Sequence, residues 1–177
     1  MTKTKWALDP AHSSVDFSVR HMMIANVKGT FNSFSANIEA DPADLTTANI
    51  EFSVETSSVD TRNQDRDGHL VSADFFDAAN FPAMNFKATN IEKTDDGEYN
   101  VTGDLTLRGV TKQETFAVSF EGQGKDPWGN EKVGFSAAGT LNRSDYGLVW
   151  NAALETGGVL VGDKVKINLQ IQAAKAE

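Results

Sequence analysis

Asn63, Asp65, Asp67, Gly68 and Asp74 occupy positions one, three, five, six and twelve of one short window. That spacing gives a calcium loop its oxygen ligands and its sharp turn. Two positions depart from the pattern. Position one is Asn where Asp is usual, and position twelve is Asp where a longer, bidentate Glu is usual. No pair of amphipathic helices flanks the window, so it reads better as an acidic, locally capped turn followed by the Phe75-Phe76 anchor. His12, His21 and His69, with Asp9, Asp16 and Asp74 nearby in sequence, supply metal-ligand chemistry by residue type. Their spacing forces no convergence, and no metal site is expected. His12 precedes Ser13 and Ser14, but adjacency is not a triad. The chain carries neither a G-x-S-x-G elbow nor a glycine-rich phosphate loop, and no catalytic residues are assigned. There are no cysteines, which removes disulfides, thiolate catalysis and Cys-based zinc sites.

These residues sit in a chain whose dominant period is two. Val15, Phe17 and Val19 alternate with Asp16, Ser18 and Arg20. The same alternation marks Phe34/Ala36/Ile38, Ile50/Phe52/Val54, Met84/Phe86/Ala88, Tyr99/Val101, Leu105/Leu107, Phe116/Val118/Phe120, Val133/Phe135/Ala137 and Val165/Ile167/Leu169/Ile171. One apolar and one polar face per strand is the pattern of an antiparallel sheet. Asp95-Asp96-Gly97 and Lys125–Asn130 read as hairpin loops, and Gly157-Gly158 and Gly162-Asp163 as breaks before the last strand. Gly103, Gly134 and Gly139 lie inside strands as bend points of a curved sheet. Asn63 to Phe76 departs from the alternation, and a short helix is expected at about 63–73. With 177 residues, 40% of them hydrophobic, the chain suits a single domain over 1–177. Its 11 Phe against 2 Tyr and 3 Trp make the apolar faces phenylalanine-rich. Alternation alone leaves two architectures open: a sandwich with a Phe-filled core, and a barrel whose wall lines a ligand.

The net charge of −9 disfavours nucleic acid and anionic lipid surfaces as partners. No stretch reaches the length of a membrane-spanning helix or shows a signal-peptide core. A cytoplasmic protein without stable membrane insertion is expected, although a processed secreted chain would read the same.

Several blocks, in order, resemble the YceI-like polyisoprenoid-binding family. They are Trp6 to His21 (WALDPAHSSVDFSVRH), Val27 to Phe31 (VKGTF), Asp67 to Leu70 (DGHL), Asp74-Phe75-Phe76, Phe81-Pro82, Gly103 to Lys112 (GDLTLRGVTK), Asn142 to Gly147 (NRSDYG) and Leu154 to Gly162 (LETGGVLVG). The resemblance implies an all-β, extended, eight-stranded antiparallel lipocalin-like barrel. It further implies a polyisoprenoid or quinone lipid held inside, no other cofactor, and a homodimer. Under that reading the inward apolar candidates are Phe17, Val19, Phe31, Phe34, Ile38, Phe52, Phe76, Phe86, Leu105, Leu107, Phe116, Val118, Phe135 and Leu141. A polar lipid head would need donors at one end of the barrel. Arg20, His21, Arg62, Arg108, Arg143 and Tyr146 offer them, Arg through its planar fork. Arg143 and Tyr146 also flank an Asp-Tyr-Gly turn that they serve equally to fix. The alternatives are a ligand-free structural or interaction barrel and, with less support, a hydrolase or a calcium-binding module.

Overall fold

A computed structural model describes residues 3–22, 24–151 and 160–176. The strands are β1 (Thr4–Leu8), β2 (Ser14–His21), β3 (Ala25–Phe31), β4 (Phe34–Asp41), β5 (Asp44–Glu55), β6 (Val59–Asp60), β7 (Ala83–Asp95), β8 (Glu98–Leu107), β9 (Val110–Lys125), β10 (Glu131–Asn142) and β11 (Val161–Lys175). All the pairings between them are antiparallel.

Eleven segments make eight staves. β1 and β2 run in line along β11, with Trp6 opposite Lys175 and Val15 opposite Leu169. A single 3-10 turn at Pro10–His12, capped by Asp9, separates them. β3 and β4 lie end to end against this broken strand. β6 and β5 lie end to end against β3 and β4 in turn. From β5 the sheet continues through β7, β8, β9 and β10 to β11, and the β1–β11 and β2–β11 pairings close it. The result is a closed up-and-down barrel of eight antiparallel staves, in which each stave pairs with a neighbour on both sides, β5 and β7 only from Glu51 to Glu55.

The turns follow their residue types. Asp96-Gly97 joins β7 to β8, with Gly97 at φ 71°. Arg108-Gly109 joins β8 to β9 with both residues at positive φ (52° and 75°), the geometry of a tight two-residue hairpin. Of the three glycines read as bends, Gly134 adjoins a bulge between β10 and β9. Gly103 and Gly139 seat rings as well: a Cβ at Gly139 would lie 2.5 Å from the Phe116 ring, and one at Gly103 2.6 Å from that of Phe86. Gly162-Asp163 lies inside β11, where pairing with β2 skips between Val161 and Val165, and does not precede the strand. Gly157-Gly158 lies outside the described residues.

Between β6 and β7 the chain leaves the sheet and forms α1 (Gln64–Leu70). Asn63 caps it by accepting from the Arg66 N–H at 3.1 Å, and Asp65 and Asp67 fall in its first turn, where they oppose the positive helix end. Asp67 also accepts from the Thr61 N–H at 2.9 Å and its hydroxyl at 2.6 Å. The window with calcium-loop spacing is thus a capped helix followed by turns. Leu70, Val71 and Phe76 from this segment pack against the buried cluster of Val15, Phe17, Phe31, Val54 and Val59, covering the place where β7 separates from β6. Among the described residues, no helix is long and apolar enough to cross a membrane.

A lipid-sized apolar lumen as the candidate functional site

Inward-facing side chains from every stave leave two abutting cavities. The first, of about 210 Å3, is almost wholly apolar. One end is built by Trp6, Ala40, Leu45, Val133 and Ala173, a buried cluster. The Trp6 indole Nε1 donates to the Ala40 carbonyl at 3.2 Å, which satisfies the polar atom that the ring brings inside. The second, of about 460 Å3, lies under α1 and the Arg143–Trp150 segment and carries several polar groups. Along β11 the lined wall runs from Val161 to Ala173. At about 3.3 Å per residue and a strand tilt of about 40°, the lumen is roughly 30 Å long along the barrel axis.

Ten of the apolar candidates line the first cavity: Phe17, Phe31, Ile38, Phe52, Phe86, Leu105, Phe116, Val118, Phe135 and Leu141. Val19, Phe76 and Leu107 line the second, and Phe17, Phe31 and Leu141 face both. Phe34 lines neither. It stacks on Phe52, with ring centroids 5.9 Å apart and 13° between planes, and packs against the buried cluster of Val15, Phe17, Phe31, Val54 and Val59. Ile50, Val54, Met84, Ile167, Leu169 and Ile171 also line the lumen. Each belongs to an alternating set, so period two contained that signal. Trp150, Leu148 and Phe75 line the second cavity from segments without periodicity, where the alternation offered no guide.

The polar candidates separate by what their donors already hold. Arg143 lies in a 3-10 turn (Arg143–Tyr146) that ends in Gly147 at φ 81°. It is buried, and its guanidinium donates to four backbone carbonyls: Gly162 at 2.8 Å, Leu148 at 2.7 Å, Trp150 at 3.0 Å and Val161 at 3.3 Å. Burial lowers its pKa from the ordinary 12.5, partly offset by the charge of Asp163. Tyr146 is fully buried and donates its hydroxyl to Glu114. Burial first, then that carboxylate, raises the phenol far above its usual 10.0, so it stays protonated. Both line the second cavity, as does His21. Arg108 and Arg62 do not. Arg108 donates to the carbonyls of Gly147 and Ala73, tying the β8–β9 turn to two loops. Arg62 is exposed, with its backbone at φ 64°.

His69, weighed in the sequence only as a metal ligand, also lines the second cavity. Its Nε2 and the Asp74 carboxylate are 2.8 Å apart. Phe75 and Trp150 meet its ring edge to face, with centroids at 5.0 and 4.7 Å. His12 instead pairs with Asp9 at 2.8 Å on the surface, and its hydrogen bond is the main reason that Asp9's pKa falls below 3.8. His12 and His69 are thus committed to different carboxylates. No cluster of three or more potential metal ligands occurs among the described residues.

The model of the YceI-like domain matches residues 6–173. A UPF0312 protein of Staphylococcus epidermidis is 43% identical over 164 residues, covering 92% of this chain and 93% of its own. One from Staphylococcus aureus is 39% identical over 175 residues, covering 98% and 99%. Among solved structures, BcnA of Burkholderia cenocepacia superposes with a TM-score of 0.82 at 25% identity, covering 93% of this chain and 98% of its own. The Campylobacter jejuni YCEI protein does so with 0.77 at 35%, covering 89% and 90%. A polyisoprenoid binding domain from Saccharophagus degradans shares the fold at 13% identity, with a TM-score of 0.72 over 98% and 99% of the two chains. Matched along nearly its whole length by family model, relatives and barrel alike, the chain belongs to the YceI-like family.

Proposed function

We propose that this protein is a non-catalytic binding or carrier protein that holds a long isoprenoid-type lipid, a polyprenyl chain or a quinone tail, inside the barrel. The observation that carries the reading is the continuous apolar wall of two abutting cavities, reaching from the Trp6 end to α1. A wall of this kind stabilises a ligand by burial, at about 0.8 kcal/mol per CH2, so each five-carbon unit contributes about 4 kcal/mol before costs. Association entropy and the ordering of a flexible chain offset much of that. A few enclosed units therefore suffice for tight binding without a dense set of polar contacts. The polyisoprenoid binding domain from Saccharophagus degradans, with the same fold, supports the choice of ligand class.

The test is organic extraction of the purified protein followed by mass spectrometry. A co-purifying isoprenoid or quinone, or stoichiometric uptake of an added prenyl alcohol, is the expected result. A protein that carries none and takes none up is a ligand-free structural barrel. Phe135 faces the first cavity with its ring 5.3 Å from that of Phe120. Phe135→Asp places an unpaired carboxylate against the chain, and should abolish uptake in a variant that keeps the β-sheet circular dichroism of the parent. Retained uptake by that folded variant would remove Phe135 from the binding wall.

A further inference from the structure

Phe17, Phe31, Met84, Leu141 and Ile167 line both cavities, which makes them a collar between the chambers. We infer that this collar, with Met84 as its adjustable member, sets the length of prenyl chain from which the barrel gains affinity. Short chains stay in the chamber beneath α1, and only longer ones pass the collar to be buried against Trp6. The inference rests on the lipid-binding reading and adds to it a specificity-determining residue.

Four members of the collar are held in place. Phe17 faces Ile167 on β11 and Gly29 on β3 in the strand register. Its ring occupies the space of the missing side chain: a Cβ at Gly29 would come within 2.4 Å of Phe17 Cζ. The ring therefore leans on β3 instead of crossing the lumen. Phe31 is set against it at 5.4 Å between centroids, and Phe76 meets Phe31 edge to face at 5.6 Å. Leu141 and Ile167 are branched side chains on β10 and β11, which pair without interruption from Lys132 to Asn142.

Met84 differs in both backbone and side chain. It is the second residue of β7, next to the last β5–β7 pair, Glu55 opposite Ala83, beyond which the chain continues into β6, which pairs with β3 and not with β7. Its side chain is half-buried, unbranched and rotatable about three bonds, the residue type that adapts to an irregular space. Swinging it aside widens the collar without moving an aromatic ring.

The tryptophans report on the two chambers separately. Trp6 lines the far chamber, Trp150 the near one, and Trp128 is 83% exposed. The experiment uses the full chain, stripped of co-purifying lipid, with farnesol as short probe and solanesol as long probe. In the wild type, solanesol should shift the Trp6 emission (identified by its loss in Trp6→Phe) while farnesol should not. Met84→Phe narrows the collar with a rigid ring. It should weaken solanesol binding by about tenfold or more while farnesol changes by less than about twofold. Met84→Ala should leave solanesol binding at least as tight as in the parent.

Equal weakening of both alcohols by Met84→Phe would make Met84 an ordinary wall residue and overturn the inference. So would a Trp6 response to farnesol as large as that to solanesol. If Met84→Phe does not fold, Met84→Ala and the Trp6 signal still decide. Failure of the wild type to bind either alcohol overturns the lipid reading itself, a result distinct from binding without length discrimination.

Discussion

The two ends of the lumen are built with different chemistry. Around Trp6 most staves stay paired, although β5 meets β7 only from Glu51 to Glu55, and among the described residues the buried cluster there holds one side-chain hydrogen bond, from the indole to Ala40. Around α1 the chain leaves the sheet, and its backbone needs partners that strands no longer supply. Side chains supply them: Arg143 to four carbonyls, Arg108 to two and Arg66 to that of Thr61. Polar residues gather at this end largely because irregular backbone gathers there. The comparison bears on ligand chemistry, since most of the arginines available to a charged head already hold partners in the protein itself.

Arg143 tests that comparison hardest. If it is a staple, Arg143→Ala leaves up to four buried or half-buried carbonyls without a donor. At about 1–3 kcal/mol for each group left unsatisfied, less what water recovers, the loss of stability in the lipid-free protein should be about 4 kcal/mol. Arg143→Lys keeps the charge but loses the fork, and should restore less than half of it. Denaturant unfolding of the lipid-free variants measures both. Unchanged stability with weakened lipid binding would break the comparison and return Arg143 to the role of a head-group ligand.

The other end should respond more weakly and for a different reason. Trp6→Phe removes one hydrogen bond, leaves the Ala40 carbonyl without its donor and opens a small void in a buried cluster. Together these should cost about 2 kcal/mol, read as a lowered denaturation midpoint. A loss as large as that of Arg143→Ala would mean that packing at the Trp6 end, and not backbone stapling at the α1 end, dominates barrel integrity.

The same contrast explains what the sequence disclosed. Alternation was readable wherever a stave is regular, as in β7 to β11, because one face meets the lumen and the other meets solvent. It faltered at β3, whose inward position Gly29 is empty of side chain because the Phe17 ring fills it. It also split β8 into two sets, Tyr99/Val101 and Leu105/Leu107, since Gly103 between them makes room for Phe86. Period two places Phe34 with Ile38 and has no means of distinguishing a ring that faces a cavity from one spent on packing against its neighbours. Closure, too, depends on β11 pairing with both β1 and β2, a long-range match that no local pattern encodes; the resemblance supplied it. At the α1 end the residue types were visible, but their acceptors were not, because a carbonyl acceptor has no sequence signature.

The smallest expected effect lies on the outer rim of the Trp6 end, in the β9–β10 loop. Asp126 accepts from the Asn130 amide at 3.0 Å and from the backbone N–H groups of Asn130 and Trp128 at 2.9 Å each. The Asn130 side chain foremost, then these N–H groups, with a weaker contribution from Lys132, hold the Asp126 pKa below its ordinary 3.8, against a modest desolvation cost. A carboxylate whose pKa is lower in the folded protein stabilises it above the unfolded value and loses that contribution as pH falls through the folded one. The side chain is half-buried within a surface loop, so Asp126→Ala should lower the thermal midpoint only slightly at neutral pH. The gap between variant and parent should be constant from neutrality down to about pH 5 and close as the pH drops below 3.8. A gap that persists undiminished in acid would mean that the loop is held by contacts independent of the charge.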